Sequence, residues 1–475
     1  AAVASVSQGE VTSGETIFLI TTLRSFGNDG FAAALSSLGR IDEVTLLGEP
    51  LETSSDPISA RKIEKPTYLP ASTGLSSLSY LAPRVLFSGT LIESVEVSGA
   101  NALLHAVERA AAVRPGTSST WLTLSPRQRV QGLQVDSHSN TATLLKSLAD
   151  VPSVSGHERL VREKIIASLP AWARAKATTD VEGNIVVAVG PDRDAVMFIA
   201  HLDEVGFEIT SIADDGAVSL RTRGGLFQSL WEGQPALLHF DGNDIARPPL
   251  SGVFVPRETA ATKQPETITA WFGVDEKTLK ELGVSVGQSV TAYKSATRLA
   301  ANRFTARALD DRAGSTALIL AARRINPSLL KHRLILAWSV REETGLEGAT
   351  VLAKRYASSV KRVFSVDTFV SSDSPVETTR FAFAPLGSGA VIRGLDNSSV
   401  ANPAEIDRIV NIARMNRIPL QVGATNGGTD GSEFVPYGVV HVSLSWPGRY
   451  SHSPVEVLDL RDLEALARLI TKLSE

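Results

Sequence analysis

The chain has 475 residues, 43% hydrophobic and 21% charged, the balance of an ordinary soluble globular protein of two or three domains. Its formal net charge of −4 gives no electrostatic reason to expect a nucleic-acid partner. It contains no cysteine, which excludes disulfides, zinc fingers and thiol nucleophiles, so a metal would have to be held by His, Asp and Glu. No apolar run approaches the ~20 residues that span a bilayer, so no membrane partner is expected.

The first residues, AAVASVSQGE, are small and lack an initiator Met. Small residues of this kind often follow a cleaved export signal, so we expect a processed or exported chain rather than a cytoplasmic one. Residues 1–115 contain apolar runs typical of an α/β segment. The stretch RPGTSSTWLTLSPRQRVQ that follows has the composition of a linker, which we place at residues 116–137.

From residue 138 onward, strand and helix patterns alternate. Short apolar runs predict strands, and longer runs with helical periodicity predict helices between them. The predicted strands are IVVAV (185–189), AVMFIAH (195–201), LILAWSV (334–340), RVFSVDT (362–368) and GVVHVSLS (438–445), and the predicted helices cover 312–325, 348–357 and 459–473. This alternation predicts an α/β fold in which helices cover both faces of a mixed sheet.

Residues 205–304 have a different pattern. Their short β-rich runs are joined by Gly and Asp turns and show little helical periodicity. We therefore predict a small β-barrel-like domain inserted into the main α/β domain, which comprises residues 138–204 and 305–475.

Five strand ends share one property, since each leads to His, Asp or Glu: those of AVMFIA, LILAWSV, RVFSV and VHVSLSW, and the return of the chain from residues 205–304 into ALDDR. These residues are His201 and Asp203, Asp310 and Asp311, Glu342 and Glu343, Asp367, and His452. Taken singly, each is more often a cap, a turn residue or a solvated charge. Open α/β sheets bind ligands at the carboxyl ends of their strands, however, and five strand ends deliver oxygen or imidazole ligands here. That set suits Zn²⁺, Co²⁺ or Mn²⁺, and one bridging carboxylate among five ligands is enough for two ions.

Six motifs occur in an order and spacing that resemble metallopeptidase family forty-two, the glutamyl and tetrahedral-particle aminopeptidases. The motifs are AHLDEVGFEI, ALDDRAG, REETGLEGA, VDTFVSSD, GGTDGSEF and RYSHSPVEVLDLRDL. The resemblance covers about residues 136–475. It includes the long gap between His201 and Asp310, where that family inserts a β-rich dimerisation domain.

The resemblance implies two divalent metal ions per chain, with Zn²⁺ or Co²⁺ expected. Asp310 looks like the carboxylate that bridges them. His201 and Asp367 would complete one site, and Glu343 and His452 the other. A centre of this kind would polarise a peptide carbonyl and activate water, and it could bind a free α-amine.

The resemblance also implies roles beside the metals. Glu342 looks like the general base that takes a proton from the attacking water, and Asp203 looks like a group that orients a catalytic residue or ligand. Adjacent residues at a strand end point in different directions, so Glu342 and Glu343 can divide the two tasks. For Asp430, in GGTDG, catalytic support and simple turn formation both stay open.

The expected function is that of a metal-dependent aminopeptidase acting on peptides. Two alternatives remain at this point: a dinuclear amidohydrolase or deacylase acting on a non-peptide amide, and a non-catalytic peptide-binding scaffold. The resemblance further implies a homo-oligomer, either a dimer joined through the inserted domain or a larger hollow particle.

The N-terminal segment resembles part of this chain itself. Residues 16–35 are similar to 333–352, and residues 87–108 are similar to 450–471. We interpret the segment as a degenerate half-repeat of the main domain. Because Ser25, Phe26 and Gly89 occupy the ligand positions, the copy is expected to bind no metal, and a chance likeness remains the alternative.

Overall fold

The computed structural model describes residues 138–240, 247–257, 267–370 and 383–475, together with five short strands before residue 96. The chain forms two compact units, Ala1–Gly132 and Leu133–Glu475. The predicted linker at 116–137 lies outside the described residues.

The N-terminal unit contains a three-stranded sheet. In it β3 (Ser77–Pro83) lies between a parallel β1 (Glu43–Leu47) and an antiparallel β2 (Ile58–Lys62). A separate antiparallel pair is formed by β4 (Val85–Leu86) and β5 (Ser94–Val95). The proposed repeat segments 16–35 and 87–108 lie outside the described residues, apart from the two residues of β5. Ser25, Phe26 and Gly89 lie outside them as well.

The second unit is built on an eleven-stranded mixed sheet. Its strands are β6 (Ala177–Thr179), β7 (Ile185–Val189), β8 (Ala195–His201), β15 (Thr297–Arg298), β16 (Arg303–Ala306), β17 (Leu334–Ser339), β18 (Val360–Val370), β19 (Ala390–Leu395), β20 (Leu420–Ala424), β21 (Val440–Arg449) and β22 (Glu456–Asp459). Nine of them form the path β15-β16-β22-β21-β18-β8-β17-β7-β6, and β19 pairs with both β20 and β21 beside that path. The predicted mixed α/β sheet is therefore confirmed.

Helices pack on both faces of this sheet. They are α1 (Ser139–Ala149), α2 (Arg159–Ser168), α3 (Ala171–Arg174), α5 (Leu309–Arg324), α6 (Glu347–Tyr356), α7 (Pro403–Met415) and α8 (Leu460–Ser474). Every side chain of β8 is buried, and its alternate residues enter different cores: Phe198 packs with α5 and α8, whereas Met197 packs with α6. A strand covered on both faces reads as a continuous apolar run, which is why AVMFIA could be recognised in the sequence.

Four central strands, β17, β8, β18 and β21, run parallel. Their carboxyl ends therefore meet at one edge of the sheet. β16 and β22 are antiparallel neighbours on one side of this group, so β16 also ends at that edge. The topology thus brings five chain segments together at one place.

A closed six-stranded barrel is inserted between β8 and β15. Its strands are β9 (Gly206–Ile212), β10 (Ala217–Arg223), β11 (Pro235–Leu238), β12 (Leu250–Phe254), β13 (Ile268–Trp271) and β14 (Ser289–Ala292), in the closed order β10-β13-β12-β11-β14-β9. Phe207, Trp231 and Phe254 pack edge to face or tilted in its core, with ring centroids 5.1 to 5.9 Å apart. One short helix, α4 (Glu276–Glu281), accompanies the strands.

The barrel ends earlier than the predicted insertion. We placed the insertion at 205–304, whereas the last barrel strand ends at Ala292 and residues 297–306 pair within the large sheet. Three short 3-10 helices complete the described structure: Gln228–Leu230, Pro327–Leu329 and Asp430–Tyr437. Across the described ranges, none of the helices combines the length and the apolar character needed to cross a bilayer.

Candidate metal centre

The carboxyl edge of the sheet gathers His, Asp and Glu side chains from five segments. Three overlapping groups could each hold an ion, because their ligand atoms lie within 4.8 Å of one another. The groups are His201, Asp310 and Asp367; His201, Glu342 and Glu343; and Asp310, Glu343 and His452. The structure thus brings together all five residues that the sequence suggested as ligands, with Glu342 beside them.

Asp310 lies at the centre of the cluster, in the first turn of α5. Its Oδ1 is 3.1 Å from Nε2 of His201, and its Oδ2 is 3.6 Å from Nε2 of His452. The Asp310 side chain is buried, and its Oδ2 also accepts a hydrogen bond from the Ser451 hydroxyl at 3.1 Å. The two oxygens of one carboxylate therefore face two different histidines.

Glu343 and His452 form the second side of the cluster. Oε1 of Glu343 lies 3.2 Å from Nε2 of His452. This buried oxygen nevertheless has no hydrogen-bond partner among the described residues. Two ligand-type atoms that face each other without a hydrogen bond are what a bound cation would satisfy, so these side chains fit a metal.

Asp203 and Glu342 lie beside the ligands. The fully buried carboxylate of Asp203 accepts the backbone N–H of Glu342 at 3.0 Å and that of Glu343 at 3.1 Å. It also accepts a hydrogen bond from the hydroxyl of Ser155. A single carboxylate thus fixes the segment that carries both glutamates.

Asp367, near the end of β18, is buried next to a guanidinium. Nη2 of Arg393 lies 3.5 Å from Oδ1 of Asp367 and donates to the carbonyl of Thr368. Burial raises the pKa of Asp367 to about 7, although Arg393 acts to lower it.

The close packing of carboxylates also shifts the pKa values of Glu342 and His201. Burial raises the pKa of Glu342 well above its usual value, and the nearby charges of Asp367 and Glu343 add to this effect. Burial opposes the charging of His201, but Glu342 and the hydrogen bonds to Asp203 and Asp310 outweigh it and raise the pKa of His201. Without a cation, protons relieve the repulsion between these groups, and a dication would relieve it instead.

Sequence reasoning missed several residues that hold the cluster in place. Glu456 accepts the backbone N–H of His452 at 2.8 Å on one oxygen and that of Asp310 at 3.0 Å on the other. It lies four residues after His452, inside a motif already singled out, so its position was a usable signal. Ser155 and Arg393 gave no such signal, because each reaches the site from a distant part of the chain.

Asp430 does more than form a turn. It begins the 3-10 helix Asp430–Tyr437, and its buried Oδ2 accepts a hydrogen bond from the Ser339 hydroxyl at 2.5 Å. Burial raises the pKa of Asp430 to about 6. The contact ties the GGTDG segment to the end of β17, three residues before Glu342.

This fold, with a ligand cluster at its carboxyl edge and a barrel inserted beside it, defines a metal-dependent peptidase. The assignment to a family follows from sequence comparison: residues 183–469 match the M42 glutamyl aminopeptidase family, and the chain belongs to that family. The protein is a metal-dependent aminopeptidase, as the resemblance predicted.

Several relatives match most of their own length to this chain. The lysyl aminopeptidase of Pyrococcus furiosus is 27% identical over 349 residues, which covers 70% of this chain and 96% of the relative. The solved TET1 peptidase of Pyrococcus horikoshii is 31% identical, and the match covers 70% of this chain and 99% of that peptidase. The two structures superpose with a TM-score of 0.63. Aminopeptidase APDkam598 from Desulfurococcus kamchatkensis is 29% identical; the match covers 71% of this chain and 94% of that aminopeptidase, with a TM-score of 0.66.

Proposed function

We propose that the cluster holds two divalent ions bridged by Asp310. His201 and Asp367 would bind one ion, and Glu343 and His452 the other. The observation that carries this proposal is the position of Asp310, since each oxygen of its carboxylate faces a different histidine. Oxygen and imidazole donors without a thiol suit Zn²⁺, Co²⁺ or Mn²⁺, and the family resemblance favours Zn²⁺ or Co²⁺ among them.

The residues around the ions divide the chemistry. When bound, the ions would polarise the scissile carbonyl and lower the pKa of the attacking water. Glu342 would take the proton from that water and deliver it to the leaving amine, a role that suits a carboxylate beside the ligands whose pKa is raised by burial. Asp203 would hold Glu342 and Glu343 in place through their backbone N–H groups.

The substrates would be peptides with a free N-terminus. Two dications would offset the charge of the four carboxylates that surround them. A free α-amine could bind one of the ions through its nitrogen lone pair, which an acylated nitrogen shares with its carbonyl, and this supports removal of N-terminal residues rather than hydrolysis of blocked amides.

The experiment that tests the proposal combines a metal assay with two peptides. Purified protein is depleted with a chelator, titrated with Zn²⁺ or Co²⁺, and assayed on one peptide with a free and one with an acetylated N-terminus. We expect two ions per chain, no activity after depletion, and hydrolysis of the free peptide alone. His452→Ala should weaken the binding of one ion more than that of the other. Full activity in metal-free protein would contradict the proposal.

We also propose that the chain forms homo-oligomers. The TET1 peptidase of Pyrococcus horikoshii assembles into a tetrahedron or a large octahedral shell. In this chain the barrel exposes large apolar side chains, among them Phe227, Val286 and Tyr293, each more than 60% exposed. Light scattering at micromolar concentration should show a dimer or a larger particle, and a monomer would refute the proposal.

A further inference from the structure

Three consecutive residues at the end of β10 connect the barrel to the metal centre. Nε of Arg223 donates to the carbonyl of Ser155 at 3.2 Å, and Ser155 in turn donates to Asp203. The carbonyl of Gly225 contacts Nδ1 of His452. The barrel places this turn beside the site because Arg223 pairs with Gly206, where the chain enters the barrel after Asp203.

The contact with Gly225 decides which nitrogen of His452 can bind a metal. A backbone carbonyl can only accept a hydrogen bond, so Nδ1 of His452 must carry a proton and donate it. The lone pair then remains on Nε2, the atom that faces Glu343 at 3.2 Å and Asp310 at 3.6 Å.

The two histidines differ in where their orienting carbonyl comes from. Nδ1 of His201 lies 3.2 Å from the carbonyl of Asp203, two residues further along the same segment. The carbonyl that faces His452 belongs to a residue 227 positions away, in the inserted barrel. His452 alone of the two therefore depends on the barrel for its orientation.

Gly224 allows the turn to come this close. It has a φ of +86°, in the left-handed region, and a Cβ at this position would lie 2.7 Å from Cγ1 of Val205 and 3.2 Å from Cβ of Glu343. The first distance is too short for any real Cβ, so a side chain here would displace the turn.

We infer that the Gly224–Gly225 turn of the barrel is a positioning element for one metal site: the Gly225 carbonyl fixes the tautomer and the ring orientation of His452. The inference rests on the proposed metal centre. It gives the inserted barrel a part in building the site that is separate from any part in assembly.

The test is Gly224→Ala, measured as Co²⁺ binding to metal-depleted protein through the visible absorption of the bound ion. Loss of a group that orients a ligand typically costs about 10- to 100-fold in metal affinity. We expect a loss of this size for one ion and unchanged affinity for the other. The affected ion should be the one that His452→Ala also weakens.

Gly273→Ala is the matched control. Gly273 is also in the barrel and has a φ of +84°, but a Cβ there meets no atom within 4 Å. The control therefore carries the same backbone strain without displacing the turn, and it should bind both ions like the wild type. An equal loss of Co²⁺ affinity in Gly224→Ala and Gly273→Ala would overturn the inference. It would also be overturned if Gly224→Ala weakened the binding of both ions equally, or of neither.

A second variant covers the case in which Gly224→Ala does not fold. Adding Val205→Ala removes the 2.7 Å contact and leaves the contacts with Cβ of Glu343 at 3.2 Å and with Cβ of residue 205 at 3.4 Å. The turn is then displaced less, so the double variant should weaken the ion that depends on His452 by a smaller factor and leave the other ion unchanged. The proposed function fails separately, because wild-type protein that binds no ion would refute the metal centre before any variant is compared.

Discussion

The carboxylate of Asp203 accepts the backbone N–H of Glu342 at 3.0 Å. The same carboxylate accepts the N–H of Glu343 at 3.1 Å, so both glutamates are fixed through their main chain. An amide has one acceptor oxygen, and Asp203→Asn must leave one of the two donors unpaired. We expect kcat/KM to fall about 10- to 100-fold, the effect of losing a charge-assisted hydrogen bond of about 1.5–3 kcal/mol.

Asp275→Asn is the control for this substitution. Asp275 also accepts a backbone N–H, that of Thr278 at 2.9 Å, but it caps a barrel helix. Activity on a peptide with a free N-terminus should be unchanged in this variant. An Asp203→Asn protein with wild-type kcat/KM would show that the two hydrogen bonds do not matter for the reaction.

The proposed division of labour between Glu342 and Glu343 can be tested by paired substitutions. Glu342→Gln should keep the metal content but lower kcat by ~10²–10⁴-fold, since it removes a general base. Glu343→Gln should lose metal, because it replaces a charged ligand. Metal content measured by elemental analysis, together with kcat, separates the two variants. Identical metal content in both would contradict the assignment.

Asn184 should matter for stability rather than for chemistry. The Asn184 side chain is fully buried. Its Oδ1 accepts a hydrogen bond from the N–H of Val340 at 3.0 Å. Its Nδ2 donates to the carbonyl of Gly348 and to the carboxylate of Asp180. Asn184→Asp would place oxygen against oxygen and lower the free energy of unfolding by about 2–4 kcal/mol. Denaturant unfolding would measure this loss, and the exposed cap substitution Asn326→Asp should cost far less.

His441 makes stability depend on pH. It is buried with its Nε2 2.6 Å from the Ser365 hydroxyl, and burial lowers its pKa from 6.5 to about 4. Between pH 6.5 and pH 4 the unfolded chain therefore takes up a proton on His441, whereas the folded chain keeps the ring neutral. The contribution of His441 to the free energy of unfolding is fully present above pH 6.5 and is lost as the pH falls toward 4. Between pH 7 and pH 5 the loss is about 2 kcal/mol.

His441→Gln tests this pH dependence, because glutamine can accept a hydrogen bond from the Ser365 hydroxyl but does not titrate. Unfolding of the metal-free proteins should show a smaller loss between pH 7 and pH 5 in the variant than in the wild type. Equal losses would mean that His441 already has an ordinary pKa in the folded state.

The sequence was most informative about the strands that build the site. Buried strands have continuous apolar runs that end abruptly, and the predicted strands 185–189 and 195–201 agree with β7 and β8 residue for residue. His201, Glu343 and Asp367 could be predicted as ligands because each lies at the end of such a run or just after it. The helix α7 was not predicted, although Asn402 accepts the N–H of Ala404 and is followed by Pro403, a usual start signal.

Contacts between distant segments could not be predicted. Glu456, Ser155 and Gly225 act on the site through backbone groups or across long separations in the chain, and backbone contacts leave no pattern in side-chain types. The sequence predicted a barrel-like domain, but the strand pairs that close the barrel, β9 with β10 and β9 with β14, depend on strand register and could not be predicted.

Because the barrel is closed, each of its six strands is hydrogen-bonded on both sides. A closed barrel offers no free strand edge, so another copy of the chain cannot extend its sheet. Copies that met at the barrel would have to contact each other through side chains and loops rather than through a shared sheet. Surface substitutions on the barrel can then alter such a contact without altering the strand pairing that holds Gly225 against His452.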